Sequence, residues 1–113
     1  MKKSHKKIDN MLRGQLTHAC DQALGAVDGF AWLTHTVDLD HVEKTLKIIC
    51  VFESYSQKEA SQINGQSQYL VNLIAQSLLK EGVRLFNPSV QIVLDSEEQC
   101  LDQHDGNWAK RLG

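Results

Sequence analysis

Three groups of residues in this chain are of types that could do chemistry. Cys100 and His104 stand four apart near the C terminus, a spacing that puts two metal-ligating side chains on one face of a helix. In the run HTVDLDH, His35, Asp38, Asp40 and His41 bring two imidazoles and two carboxylates together, the types used for general acid–base work. Trp108 beside Lys110 and Arg111 joins an indole to two cations. Such an end can stack on a base, enter a partner's pocket or fold back onto the chain's own apolar surface.

None of these groups is complete as a catalytic or metal motif. A zinc site takes three or four ligands, and His5, His18, His35 and His41 follow no spacing that would complete the Cys100/His104 pair. No metal and no cofactor is therefore expected. The HTVDLDH carboxylates fall where any turn would place aspartates. Cys50 lies in an apolar alternating run, where a thiol is inert, and there is neither a nucleophile motif nor a glycine-rich phosphate loop. The expectation is a protein that is not an enzyme. Ser61 to Ile74 loosely imitates a helix-turn-helix, but Asn64 and Gln66 flank its glycine and the would-be recognition helix offers no Lys or Arg before Lys80.

Charge is uneven although the net value is −2. The first thirteen residues carry five Lys/Arg against one Asp, whereas residues 14–109 carry five basic and thirteen acidic side chains. Only the ends could form a phosphate-binding cluster, from Lys2, Lys3, Lys6 and Lys7 with Lys110 and Arg111, if the fold brought them together. Three cysteines, an odd number about thirty and fifty residues apart, suit free thiols in a reducing compartment. No apolar run approaches the ~20 residues of a spanning helix. The chain reads as cytoplasmic, with no membrane contact.

The elements that must position these residues follow from periodicity. Ile8, Leu12, Leu16, Ala19, Ala23 and Val27 recur at three and four, predicting an amphipathic helix that covers a sheet. Phe30 to Leu39 and Thr45 to Ser54 read as two strands of an antiparallel hairpin. Leu46, Ile48, Cys50 and Phe52 share one face; Ile49 and Val51, with Leu33, Val37 and Val93, are assigned to a second apolar face. Ser56 with Glu59 forms a capping-box pattern opening a helix, which Asn64-Gly65 interrupts and Gly82 ends. Asn87-Pro88 opens a third strand to Asp95; Ser96 with Gln99 caps a helix to about His104, and Asn107 caps a last turn.

The reading is one α+β domain over residues 1–113. Its order is α-β-β-α-α-β plus C-terminal helices, with a three-stranded, largely antiparallel sheet and residues 95–113 as a helical tail packed on it. This is the element order of a type II KH-like domain, without the Gly-x-x-Gly clamp: Asn64-Gly65-Gln66 has no second glycine at the required spacing. Since one helix layer cannot cover both apolar faces, Leu101, Trp108 and Leu112 are the groups left to cover the second, or else another subunit does.

The stretches KKIDNMLRGQLTHACDQAL, FAWLTHTV and LDSEEQCLDQHDGNWAKRLG resemble a family of short uncharacterised proteins of marine gammaproteobacteria. Some members of that family carry the label "Fis family transcriptional regulator". The resemblance implies a cytoplasmic bacterial protein and, through the label, transcriptional regulation. No residue of Fis carries over, because its DNA-reading C-terminal helix-turn-helix is rich in Lys and Arg, whereas this chain ends in one short turn with two cations. The expectation is thus a non-catalytic interaction domain that binds a protein partner or a second copy through Leu101, His104, Trp108, Lys110, Arg111 and Leu112 and the second sheet face. DNA binding through Lys2, Lys3, Lys6, Lys7, Lys110 and Arg111 is the alternative.

Overall fold

The computed structural model describes residues 3–113, with side chains from Ser4 onward. Helix α1 (Lys3–Leu24) leads through a turn to β1 (Phe30–Thr36); a short helical turn, α2 (Val42–Thr45), precedes β2 (Lys47–Phe52). Helices α3 (Tyr55–Asn64) and α4 (Gln66–Leu79) follow, then the turn α5 (Pro88–Gln91), β3 (Ile92–Ser96), α6 (Glu97–His104) and α7 (Trp108–Leu112). The fold is α+β, in the order read from the sequence with two added helical turns.

The sheet is mixed. Its spatial order is β1-β2-β3; β1 pairs antiparallel with β2, while β3 runs parallel to it. The antiparallel expectation thus holds for one pair only. The α3–α4 excursion returns the chain to the sheet end where β2 began, and a strand entered there must run the same way.

Local chemistry fixes the element ends. Ser54, rather than Ser56, is the N-cap of α3: its hydroxyl accepts from the Gln57 amide at 3.2 Å and donates to Gln57 Oε1 at 3.1 Å, which moves the capping box two residues toward the N terminus. The Ser96/Gln99 cap forms as read, with the Ser96 hydroxyl accepting from Gln99 N at 3.1 Å. Pro88 does not open a strand. It occupies the first turn of α5, where its missing N–H is no loss. Buried Gln91 then donates to Leu46 O at 2.8 Å and Glu43 O at 3.0 Å, tying this turn to the β1–β2 connection. Gly65 sits between α3 and α4 at φ 86°, a conformation that a Cβ penalises.

The main core lies between the first sheet face and two helices. Leu12, Leu16, Ala19 and Ala23 of α1 and Leu70, Ile74 and Leu78 of α4 close on Leu46, Ile48, Cys50 and Phe52. Each large aliphatic side chain buried there contributes about 2 kcal/mol relative to exposure. Leu33 belongs to this face, not the second, because it pairs with Cys50 across the ladder. Val37 also packs against this core. A β-bulge between Phe30 and Trp32 sets the register, so Trp32 and Thr34 join Ile49 and Val51 on the second face.

Candidate functional site

The second face is closed by the chain itself. The Trp32 and Trp108 rings meet edge to face, with centroids 4.9 Å apart at 81°. Glu97 accepts from both indoles: Trp32 Nε1 donates to Oε1 at 2.5 Å and Trp108 Nε1 to Oε2 at 3.2 Å. Beside them Arg111 grips Asp95 in a two-pronged bond, Nε to Oδ2 at 2.7 Å and Nη2 to Oδ1 at 2.8 Å. Its remaining donors reach Gln103 Oε1 at 2.7 Å, Gln99 O at 3.3 Å and the His104 ring at 3.1 Å. Burial opposes the Asp95 charge, but the Arg111 hydrogen bond, the Ser96 amide and the Arg111 charge together hold its carboxyl below the usual range. The same bond to Asp95 raises the Arg111 pKa.

This closure decides the position of each tail residue. Trp108, Arg111, His104 and Leu112 are half-buried, and Lys110 is exposed. Leu101 does not cover the sheet; it is 64% exposed. Cys100 takes the inward position of α6, and the next residue on a helix is turned away by about 100°. Burial pushes the Cys100 thiol up, and His104 lies against the Arg111 guanidinium. Among the described residues no group of three or more His, Cys, Asp or Glu side chains comes together to hold a metal.

Among the described residues the basic ends are not gathered into one cluster. Lys6 and Lys7 are exposed at the start of α1, where His5 Nε2 meets Asp40 Oδ1 at 2.8 Å beside the β1–β2 connection. Arg111 lies at the other end of the sheet, on Asp95, which pairs with Val51 near the end of β2. Lys2 and the side chain of Lys3 lie outside the described residues. Of the HTVDLDH group, Asp38 caps the turn, its Oδ1 accepting from Asp40 N at 3.0 Å, while the Asp40 carboxylate meets His5. His41 is exposed, and His35 lies on the strand, where burial and then the Arg13 charge lower its pKa.

A concave surface runs between α1 and β1, a groove of about 550 Å³. Asp9, Arg13, Thr17 and Asp21 line one wall, with Leu16 and Cys20 beneath; Leu33, Thr34, His35 and Val37 form the other. Leu33 and Thr34 come from opposite sheet faces, so the groove follows the outer edge of β1. Among the described residues, no backbone hydrogen bond from an element other than β2 reaches residues 31–36, although the Cys20 thiol of α1 is bonded to the Leu33 backbone. Burial raises the Cys20 thiol pKa, so this is no activated nucleophile. The polar stripe at Asp9, Arg13, Thr17 and Asp21 is visible in the sequence, but it means little until β1 is known to be an edge.

Comparison adds no relative. The chain matches no family model, no curated protein and no solved structure.

Proposed function

We propose that this is a non-catalytic interaction domain that takes an extended protein segment onto the outer edge of β1, in the groove beside α1. The observation that carries the reading is the state of that edge. β1 is seven residues long, FAWLTHT, without charge or proline, and among the described residues no backbone group of another element bonds its outer edge, where the Cys20 thiol meets the Leu33 backbone. Natural sheets normally blunt such an edge with a charge, a proline or a cover. An added strand would satisfy the free amides and carbonyls, and the groove would receive alternate side chains. The tail contributes indirectly, because Trp108 and Glu97 hold Trp32, and with it the strand, in place.

Selection of random twelve-residue peptides displayed on phage tests this. Selected peptides are expected to shift the backbone amides of residues 31–37 and the α1 groove residues in NMR spectra. Peptides that bind elsewhere, or none that bind and no protection of these amides in the free protein, would overturn the reading.

A second reading rests on a different groove, between α3–Gly65–α4 and β3. It measures about 350 Å³ and is lined by Lys58, Gln62, Ser67, Gln68 and an aliphatic floor including Val71 and Ile92. In a KH-like order this helix–turn–helix junction is where a single nucleic-acid strand is held. Amide side chains above an aliphatic floor suit bases, but only one cation, Lys58, lines the groove. Short single-stranded RNA and DNA of mixed sequence provide the test: binding that weakens with salt and with Lys58→Glu is expected, and no binding at low salt removes this reading.

A further inference from the structure

At a surface separate from the β1 edge, we propose that copies of this chain associate head to tail: the exposed Phe86 of one copy seats in the acidic notch beside Leu101 of the next.

The notch lies at the end of the sheet where β2 and β3 finish, since Phe52 pairs with Ser96 there. It measures about 400 Å³ and is lined by Glu53, Ser54, Glu97, Glu98, Leu101 and Gly106. Leu101 gives it an apolar wall, because this side chain of α6 is not used to cover the sheet. Both indoles hold the Glu97 carboxylate, so the charge at the rim belongs to Glu53 and Glu98, with Asp102 one helical turn beyond Glu98. Glu98 Oε1 accepts from Tyr55 N at 2.8 Å, which fixes the side chain and leaves its second oxygen for another donor.

Phe86 stands at the opposite end, where Ile48 of β2 pairs with Ile92 of β3 and the turn α5 meets the β1–β2 connection. It is 79% exposed, and Val90, four residues on, is 64% exposed. This exposure does not come from a loose loop. Arg84 N donates to Glu43 Oε2 at 2.6 Å, Phe86 N to Glu43 O at 3.1 Å and Asn87 N to Gln91 Oε1 at 2.6 Å, and Pro88 fixes the following φ. An aromatic ring on a backbone already held in place loses little freedom when it enters a pocket. At the same end Lys44, Lys47, Lys80 and Arg84 are exposed, against Glu43 and Glu81, which already accept from the Arg84 amide and from Gln15.

Charge selects which surfaces pair. Notch against notch brings carboxylates together, and the Phe86 turn against itself brings cations together; only the turn against the notch joins opposite signs. Both halves of the contact are carried by one chain, which is why the occupant is a second copy. A buried aromatic inside a charged rim is also the usual make-up of an interface anchor. Because the two surfaces differ and stand at opposite ends, the contact is heterologous, and it propagates into a chain or closes as a ring of three or more copies.

Two single changes test this on the full chain. Phe86 and Leu101 are both exposed, so Phe86→Glu and Leu101→Asp leave the core untouched. The first sets a carboxylate against the acidic rim, and the second removes the apolar wall. Sedimentation velocity of wild type at rising concentration is expected to show species larger than a dimer, and high salt should reduce them. Each variant alone should associate about tenfold more weakly, or less, with an unchanged urea midpoint in dilute solution. Mixed together, they should form a one-to-one heterodimer and nothing larger, because Phe86→Glu keeps its notch and Leu101→Asp keeps its Phe86. A wild type that stays monomeric or stops at a dimer would overturn the proposal, as would assembly indifferent to either change or a mixture that stays monomeric. None of these outcomes touches the strand-addition reading, which stands or falls on displayed peptides and the amides of residues 31–37.

Discussion

The two flanks of β1 are treated in opposite ways. On its second face, the Trp32 side chain is held by Trp108 and Glu97, and the adjoining Asp95 carboxylate is met on both oxygens by Arg111. Along its outer edge the same strand, among the described residues, takes no backbone bond from another element, has only the Cys20 thiol against the Leu33 backbone, and borders a groove whose charges stand near the surface. Polar groups drawn out of water must be matched, and the tail matches them; polar groups left in water need no internal match and remain available. The tail is therefore a structural closure, and the edge is the surface that the proposed strand addition would use.

That contrast is broken most severely at Arg111. Its pair with Asp95 is largely shielded, with side chains 12% and 15% exposed. Arg111→Ala should cost about 3 kcal/mol, because an uncompensated carboxylate remains in a partly buried site. Urea unfolding measures the loss. Trp108→Ala should cost about 2 kcal/mol, less than a full core truncation because the ring is only half-buried. It should also broaden the Trp32 indole signal. If either change leaves stability unaltered, the tail is not the closure described here.

Acid probes the same pair without mutation. The Asp95 carboxyl has a folded-state pKa below its unfolded value, so its contribution is fully present above the unfolded value, about 3.9, and is lost as pH falls below it toward the folded value. Stability measured from pH 6 downward should therefore decline below about pH 4 in wild type. Asp95→Asn should start lower and decline less steeply over that range.

Much of this arrangement could be read from residue order, and the gaps have physical causes. The α1 stripe, the Ser96 and Asn107 caps and the Gly65 break depend on neighbours within four residues, and they stand where periodicity puts them. Strand faces depend on pairing register, which one bulge changes: a single extra residue near Ala31 put Leu33 on the core face and Trp32 on the other. The direction of β3 was not legible, because it depends on where α3 and α4 return the chain. Leu101 and Trp108 looked equivalent as apolar tail residues, and only helix phase separates one that is 64% exposed from one that meets Trp32. The groove was least legible, since Asp9, Arg13 and Asp21 resemble any solvated helix face until an open strand edge is set beside them.

Thiol chemistry sharpens the comparison without altering stability. Burial drives the Cys50 thiol up to about 12, and Cys50 and Cys100 are shut in the interior. Cys20 is half-buried in the groove wall, so it is the thiol that a small alkylating reagent should reach first in the folded protein. Cys50 and Cys100 should react only as the protein unfolds. Alkylation of Cys20, followed by mass spectrometry, should slow when a selected peptide occupies the β1 edge, while Cys50 and Cys100 stay unreactive in the folded protein.

The smallest effect separates structure from interaction most cleanly. Arg13→Ala and Asp21→Ala remove exposed side chains from the groove wall, so the folding stability of the dilute monomer should change by no more than about 0.5 kcal/mol. Arg13 loses its bond to Asp9, an exposed pair at four-residue spacing that is worth about 0.3–0.5 kcal/mol. Tail residues behave differently because each supports a buried neighbour. Were Arg13→Ala to destabilise the monomer as much as Arg111→Ala, the groove wall would be part of the internal scaffold. A weakened association with an unchanged monomer melt would instead place its charges at the surface where β1 meets another chain.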